Sequence, residues 1–237
     1  MKKKFLTMFC VLLLISLTIV EYQHYYSRKI CAAIDYRETE KLEELIKRSP
    51  NINALTNFDF LSKIDMVAIT PLRAACSEKD FDTIKLLLEN GANPNKKVYN
   101  KHPILYFATN YHSKERDTDL EQKYLNTIKL MIEHGAKVNV EYYGQNIIHL
   151  LAQWNNYTCI KYLLENYDFD INSASADGST ALMNACLHIY PKGNETVELL
   201  LSKGADKSIK DIYGKTALDY AIESERFDCI ELLTAYK

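Results

Sequence analysis

The sequence predicts an all-α fold, a solenoid of helix-turn-helix repeats with projecting hairpin loops, preceded by an N-terminal hydrophobic helix. Three observations carry this expectation: an eleven-residue phrase that returns along the chain, scarce glycine and proline (7 and 5 of 237 residues), and a sixteen-residue run near the start without a charge. An all-β chain would need many tight turns and the residues that make them. Leucine, lysine and glutamate favour helix, and an apolar content of 47% is enough to bury a core.

The first element is residues 1–21. Lys2-Lys3-Lys4 precede Phe5 to Val20, and Glu21 ends the uncharged run. A basic start, an apolar stretch and a polar flank describe a secretory signal peptide or signal-anchor. The run is slightly long for a signal core and slightly short for a spanning helix of about 20 residues. Ser16-Leu17-Thr18 lies inside the run and Ala32-Ala33 lies too far on, so a good cleavage site is missing. That favours an uncleaved anchor over a cleaved signal. The lysines are then expected to stay cytoplasmic while the rest crosses. The expected location is therefore inner membrane-anchored facing the periplasm, or secreted to the periplasm. In a eukaryotic secretory setting Asn156-Tyr157-Thr158 and Asn194-Glu195-Thr196 would be glycosylation sequons. A buried amphipathic helix fits less well, because the run has no polar stripe.

The repeats follow. Asp82-Thr-Ile-Lys-Leu-Leu-Leu-Glu-Asn-Gly-Ala92 returns as Asn126-Thr-Ile-Lys-Leu-Met-Ile-Glu-His-Gly-Ala136 and as Glu195-Thr-Val-Glu-Leu-Leu-Leu-Ser-Lys-Gly-Ala205, with looser copies at 158–167 and 228–235. Upstream of each copy is a second phrase: Thr70-Pro-Leu-Arg-Ala-Ala, His102-Pro-Ile-Leu-Tyr-Phe-Ala, Asn146-Ile-Ile-His-Leu-Leu-Ala, Thr180-Ala-Leu-Met-Asn-Ala and Thr216-Ala-Leu-Asp-Tyr-Ala. Their starts lie 32, 44, 34 and 36 residues apart. Thr70, Thr180 and Thr216 can cap a first helix, with Pro71 at its first position. Ile84, Leu87 and Leu88 form one stripe of a second helix. Gly91, Gly135 and Gly204 supply the left-handed turn that ends it. Asn93-Pro94-Asn95, Lys137-Val-Asn139 and Asp206-Lys-Ser208 then open the projecting loop. Ile30-Cys-Ala-Ala33 with Leu42, Leu45 and Ile46 fits the same offsets as a degenerate first unit.

These phrases resemble the ankyrin repeat, whose pattern opens with Thr-Pro-Leu-His, closes with Leu-Leu-Leu and Gly-Ala, and has a period of about 33 residues. The chain looks like an exported or membrane-anchored, bacterial-type member of that family. The resemblance covers 28–237, in units at about 28–53, 69–95, 101–139, 145–172, 179–208 and 215–237. The spacing of 44 reflects an insertion from Asn110 to Tyr124. At the last unit Glu223, Glu225, Arg226, Asp228 and Glu231 are expected to give the polar outer face that a terminal repeat needs.

Function is bounded mainly by what is missing. Net charge is −2; without Lys2, Lys3 and Lys4 the chain has 26 basic residues against 31 acidic ones, a net of −5. No basic run offers a surface for phosphates, so no nucleic-acid partner is expected. No Gly-x-Ser-x-Gly, P-loop or GxGxxG occurs, and the six histidines and six cysteines show no HExxH or CxxC spacing. No catalytic residue, metal or cofactor is expected, and the carboxylates Asp117, Asp119 and Glu121 are taken as a solvated face. Cys76 and Cys186 occupy one repeat position, Cys159 and Cys229 another. Equivalent positions in non-adjacent repeats are too distant for a disulfide, so the cysteines are expected to be small core residues. His149 falls at the family's histidine position, which implies a structural role bonding loop backbone.

The resemblance further implies binding through loop tips and inner helices. The tip position three residues before each phrase is Tyr99, Tyr143, Asp177 and Tyr213, an aromatic row with Tyr142 beside it. The inner-helix positions are Tyr106/Asn110, Leu150/Trp154, Asn184/His188 and Tyr220/Ser224, with Trp154 the sole tryptophan. From these the expected partner-binding residues are Tyr99, Tyr106, Asn110, Tyr143, Trp154, Asp177, His188 and Tyr213. The insertion at 110–124 is a third candidate surface. The expected function is a non-enzymatic protein–protein interaction module facing the periplasm, in its narrowest form an immunity or inhibitor protein for an envelope-acting toxin. The alternative is an envelope stress or redox accessory scaffold for a partner enzyme. The chain is expected to be monomeric and to meet the membrane through its N-terminal segment only.

Overall fold

The computed structural model describes residues 2–55, 69–96, 118–187 and 194–236, with side chains from residue 11 onward. Two compact units, Met1–Ile104 and Leu105–Lys237, divide the chain. Among the described residues every named element is an α-helix.

The first unit holds α1 (Lys2–Asp35), α2 (Thr39–Arg48), α3 (Pro71–Glu78) and α4 (Phe81–Glu89). One unbroken helix, α1, runs through the apolar segment and into the first repeat. Its two halves differ in environment. From Val11 to Val20 its large apolar side chains are all exposed, whereas Ile30, Cys31, Ala33 and Ile34 are buried against α2 and α3. The degenerate first unit is therefore a genuine helix pair, with Leu42 and Ile46 on the buried face of α2. No helix among the described residues is long and apolar enough to cross a membrane.

In α3, the Thr70 hydroxyl accepts from the Arg73 N–H at 3.2 Å and Pro71 occupies the first turn. Ile84, Leu87 and Leu88 are buried along α4. A clip joins the two repeats of this unit: the Asn53 amide donates to the Gly91 carbonyl (3.1 Å) and its oxygen accepts from the Asn93 N–H (2.6 Å). That pairing satisfies backbone groups freed where α4 ends.

The second unit holds α5 (Thr118–Glu133), α6 (Ile147–Gln153), α7 (Tyr157–Asn166), α8 (Ala181–Leu187), α9 (Glu195–Ser202), α10 (Ala217–Glu223) and α11 (Phe227–Ala235). The inner helices stack in the order α6, α8, α10, and the outer helices in the order α5, α7, α9, α11. Leu151, Leu163, Cys186, Leu200 and Ala221 are fully buried between them. Such short helices gain most of their stability from this stacking, each repeat burying the apolar face of the one before. The Asn53 clip recurs: Asn172 donates to the Gly204 carbonyl (3.2 Å) and accepts from the Asp206 N–H (2.7 Å).

Two expectations fail here. The outer helix α5 has sixteen residues because part of the insertion continues it. Tyr124 and Glu121 sit inside the stack, not on a binding loop or a solvated face. The Glu121 carboxylate accepts the Thr158 hydroxyl of the next repeat, a partner invisible in the local sequence. In the last repeat Glu223, Glu225 and Glu231 are exposed, with Arg226 and Asp228 partly so, and two apolar residues are exposed beside them. Ile222 and Phe227 are 54% and 76% exposed among its charged residues.

His149 is a structural residue, as its position implied. Its Nδ1 accepts the Asn146 N–H (3.3 Å) while the Asn146 side chain caps α6 in return, and its Nε2 donates to the Ser173 carbonyl (3.0 Å). Burial holds the imidazole below its ordinary pKa. The unfolded chain therefore binds a proton near pH 6.5 that the folded chain refuses. Stability is expected to be full above that pH and to decline as pH falls through it. Chemical-denaturation midpoints measured from neutral pH downward should show the slope, and His149→Gln should flatten it.

Candidate protein-binding surface

The surface begins in three loops. At 142–145, Tyr142 and Gln145 exchange both backbone hydrogen bonds (2.9 and 3.0 Å) across Tyr143 and Gly144, whose φ values are +51° and +74°. Two consecutive positive φ angles define the tight hairpin turn whose twist matches its flanks. At 175–179, the Ser175 N–H donates to the Ser179 carbonyl (2.9 Å), and the Asp177 carboxylate accepts the Ser175 hydroxyl and the Ser179 N–H. At 211–215, the Asp211 N–H donates to the Lys215 carbonyl (3.0 Å). The Asp211 carboxylate accepts the N–H groups of Tyr213 and Lys215, both at 2.9 Å, and the Tyr220 hydroxyl.

These fingers are joined in series. The Ala176 N–H donates to the Tyr143 carbonyl (2.9 Å), and the Ile212 N–H donates to the Asp177 carbonyl (3.0 Å). One backbone bond per repeat thus fixes Tyr143, Asp177 and Tyr213 in register. Tyr143 and Tyr213 are 73% and 71% exposed, and Ile212 beside them is 67% exposed. Tyr142 supports Tyr143 edge-on, with ring centroids 4.3 Å apart.

The face is acidic. The Ser175 hydroxyl and Ser179 amide hold the Asp177 carboxyl below the usual carboxylate range. Burial raises Asp211, but the Tyr220 hydroxyl and the Lys215 and Tyr213 amides outweigh it and hold this group low as well. Its partner phenol, Tyr220, is pushed up to about 12 by that same bond and by burial, so it remains a donor. Exposed Glu141, Asp219 and Glu223 add to the negative charge, against Lys210 and a Lys215 that is ion-paired with Glu223 at 2.8 Å.

Of the inner-helix positions, Trp154 is half-buried and ends α6. Asn184 is buried rather than available, donating to the His149 carbonyl at 3.2 Å. Residue type suggested a contact group there; the stack uses it to join α8 to α6. Tyr99, Tyr106, Asn110 and His188 lie outside the described residues. The sequence reading missed Ile212, Leu187 and Ile222, all exposed in this unit. Ile212 had a signal, since it sits beside the tip position of its repeat; the other two have none that separates them from core apolar residues.

Comparison with known proteins agrees with this architecture. A sequence model described as ankyrin repeats (3 copies) matches residues 120–175 and 168–237, and one described as ankyrin repeat matches 69–98. The crystal structure of EF0377, an ankyrin repeat protein, superposes with a TM-score of 0.66 at 25% identity, covering 88% of this chain and 97% of that one. Human transient receptor potential cation channel subfamily A member 1 is 24% identical over 86% of the chain and 14% of its own length. Dog inversin is 29% identical over 75% of the chain and 16% of its own length. A putative ankyrin repeat protein, L92, of Acanthamoeba polyphaga mimivirus is 39% identical over 28% of the chain and 16% of its own length. The chain thus spans about one sixth or less of these curated relatives.

Proposed function

Because the chain belongs to the ankyrin-repeat family, whose arrays are protein–protein interaction modules, we propose that it is a non-enzymatic binding protein held at a membrane by α1, gripping its partner with the Tyr143–Asp177–Tyr213 row. The observation that carries the binding part is the exposure of two tyrosines and an isoleucine on loop tips that the backbone bonds rigidly in register. Aromatic side chains on a rigid scaffold lose little entropy on binding and supply much of the energy in known interfaces. The acidic groups around them select a partner segment with basic residues flanking an apolar anchor.

The membrane part rests on α1. Val11, Leu12, Leu13, Leu14, Ile15, Leu17, Ile19 and Val20 are exposed on every side of the helix, not along one stripe. A stripe would suit a protein groove, whereas an apolar circumference suits lipid. In the signal-anchor form of this proposal the uncharged run from Phe5 to Val20 is the anchor, Lys2, Lys3 and Lys4 stay on the cytoplasmic side, and the array faces the periplasm of a bacterial cell.

The test uses the full chain. Membranes should retain it through a high-salt wash and release it to detergent, and deletion of residues 2–20 should move it to the soluble fraction. Recovery of the intact chain as a soluble protein would overturn the membrane reading. Cross-linking of the full chain in its own membrane, followed by mass spectrometry, should yield a partner that the Tyr143→Ala/Tyr213→Ala double variant loses. If the partner is a toxin, deleting the gene should sensitise cells to it, which is the immunity form of this reading. Retention of the partner by the double variant would sink the assignment of the surface.

A further inference from the structure

Just past its apolar run, α1 carries aromatic and basic side chains on one face. Tyr22, Tyr25, Arg28 and Lys29 are exposed, whereas Ser27, Ile30, Cys31 and Ile34 are buried. At about 3.6 residues per turn the exposed residues share one stripe and the buried ones lie opposite. The rings are ordered against one another. Tyr22 and Tyr25 each meet Tyr26 edge-on, with centroids 5.0 and 5.6 Å apart, and the Tyr22 hydroxyl donates to the Tyr26 hydroxyl at 3.4 Å. The Lys29 ammonium lies over the Tyr25 ring, 5.7 Å from its centroid. Lys29 therefore reaches back towards the N-terminus of α1, the direction in which helical side chains lean. The first repeat grips this segment from behind. The Ser27 hydroxyl donates to the Ala54 carbonyl at 2.8 Å, and the His24 Nδ1 donates to the Leu55 carbonyl.

We propose that Tyr22, Tyr25, Arg28 and Lys29 form a collar that binds anionic phospholipid headgroups and seats the first repeat on the bilayer surface. It rests on the membrane reading above, in which Phe5 to Val20 is the anchor, and adds the headgroup class and the residues that meet it. The occupant follows from continuity. The stripe extends the apolar circumference of one unbroken helix, so the medium that solvates Val11 to Val20 meets Tyr22 and Tyr25 next. These two residues start about 3 and 8 Å past Val20 along the axis, within a headgroup layer about 5–8 Å deep. A phenol suits that layer, its ring against the chains and its hydroxyl in the wet region. Arg28 and Lys29 start about 12 and 14 Å past Val20, and their long stems lean back to bring the charges down towards the phosphates. Glu21 is exposed on the same stripe; two cations against one carboxylate leave a net charge of +1, the sign an anionic headgroup selects.

The test equilibrates the purified full chain, in detergent micelles, with phosphatidylglycerol or phosphatidylcholine and counts bound lipid by native mass spectrometry. Flotation of the same chain with phosphatidylcholine vesicles runs beside it. Phosphatidylglycerol should bind the wild-type chain about fivefold or more tightly than phosphatidylcholine. Arg28→Gln and Lys29→Gln should each weaken phosphatidylglycerol binding about fivefold, and Glu21→Gln should strengthen it about fivefold. Tyr25→Ala removes the ring beneath Lys29 and should weaken binding about two- to fivefold. These side chains are exposed, so the melting midpoint should be unchanged in each variant. In a Lys2→Gln/Lys3→Gln/Lys4→Gln background the response to Lys29→Gln should persist, because the basic start is a separate site. A wild-type chain that does not float with the vesicles overturns the membrane reading and the collar with it. Flotation without a preference for phosphatidylglycerol, or with a preference that the Arg28→Gln/Lys29→Gln variant retains, overturns the collar alone.

Discussion

Gly178→Ala is expected to lower the stability of the second unit by about 2–4 kcal/mol, against about 1 kcal/mol for Gly204→Ala. Both glycines have positive φ, +81° and +88°, so both substitutions meet the strain of placing a side chain in the left-handed region. Only Gly178 has neighbours in the way. A Cβ there would lie 2.9 Å from the Asp211 Cα and 3.0 Å from the Ile212 nitrogen, while nothing lies within 4 Å of one at Gly204. The obstructing atoms are backbone, so no side chain can swing aside. The fingers must separate, and the bond from the Ile212 N–H to the Asp177 carbonyl stretches with them. Gly144 faces the same obstruction, from the Ala176 nitrogen at 2.9 Å. Urea-unfolding midpoints of the two variants should differ clearly. Equal losses would mean that the fingers are not held by this close approach.

The contrast between those glycines also shows what a sequence can display. Gly91, Gly135 and Gly204 were legible because each ends a repeated phrase, and a helix stop is a local matter of one residue's φ. Thr70 with Pro71, and the stripe of Ile84, Leu87 and Leu88, were legible for the same reason: capping and helical periodicity act within a few residues. What was not legible lies between repeats. Glu121 reads as a surface carboxylate until Thr158, thirty-seven residues on, supplies its hydrogen bond. Asn184 reads as a contact residue until the His149 carbonyl claims it. At the candidate surface, register predicted the row of Tyr143, Asp177 and Tyr213. Exposure of Ile212, Ile222 and Leu187 depends on how far each repeat covers its neighbour, which the phrase does not encode.

Tyr143→Ala and Tyr213→Ala are each expected to weaken partner binding by about tenfold or more, which corresponds to about 1.4 kcal/mol apiece. These two positions are the cleanest probes of the face. Each side chain is more than two-thirds exposed, so truncation removes little buried packing and should leave the array folded. Asp177→Ala would be a poor probe, because that carboxylate also holds its own turn through Ser175 and Ser179. Trp154 carries the same ambiguity, being half-buried at the end of α6. Glu198→Ala on the exposed side of outer helix α9 serves as the control and should leave affinity unchanged within twofold. Because Tyr143 and Tyr213 lie two repeats apart, their losses should add within about 0.5 kcal/mol, giving roughly a hundredfold for the pair. The acidic surround adds a further sign. Raising salt should slow association with a basic partner more than it speeds dissociation. Loss of binding in Glu198→Ala with full retention in the tyrosine variants would move the contact to the outer helices, where Glu198 and the exposed residues of α7 and α9 would have to carry it.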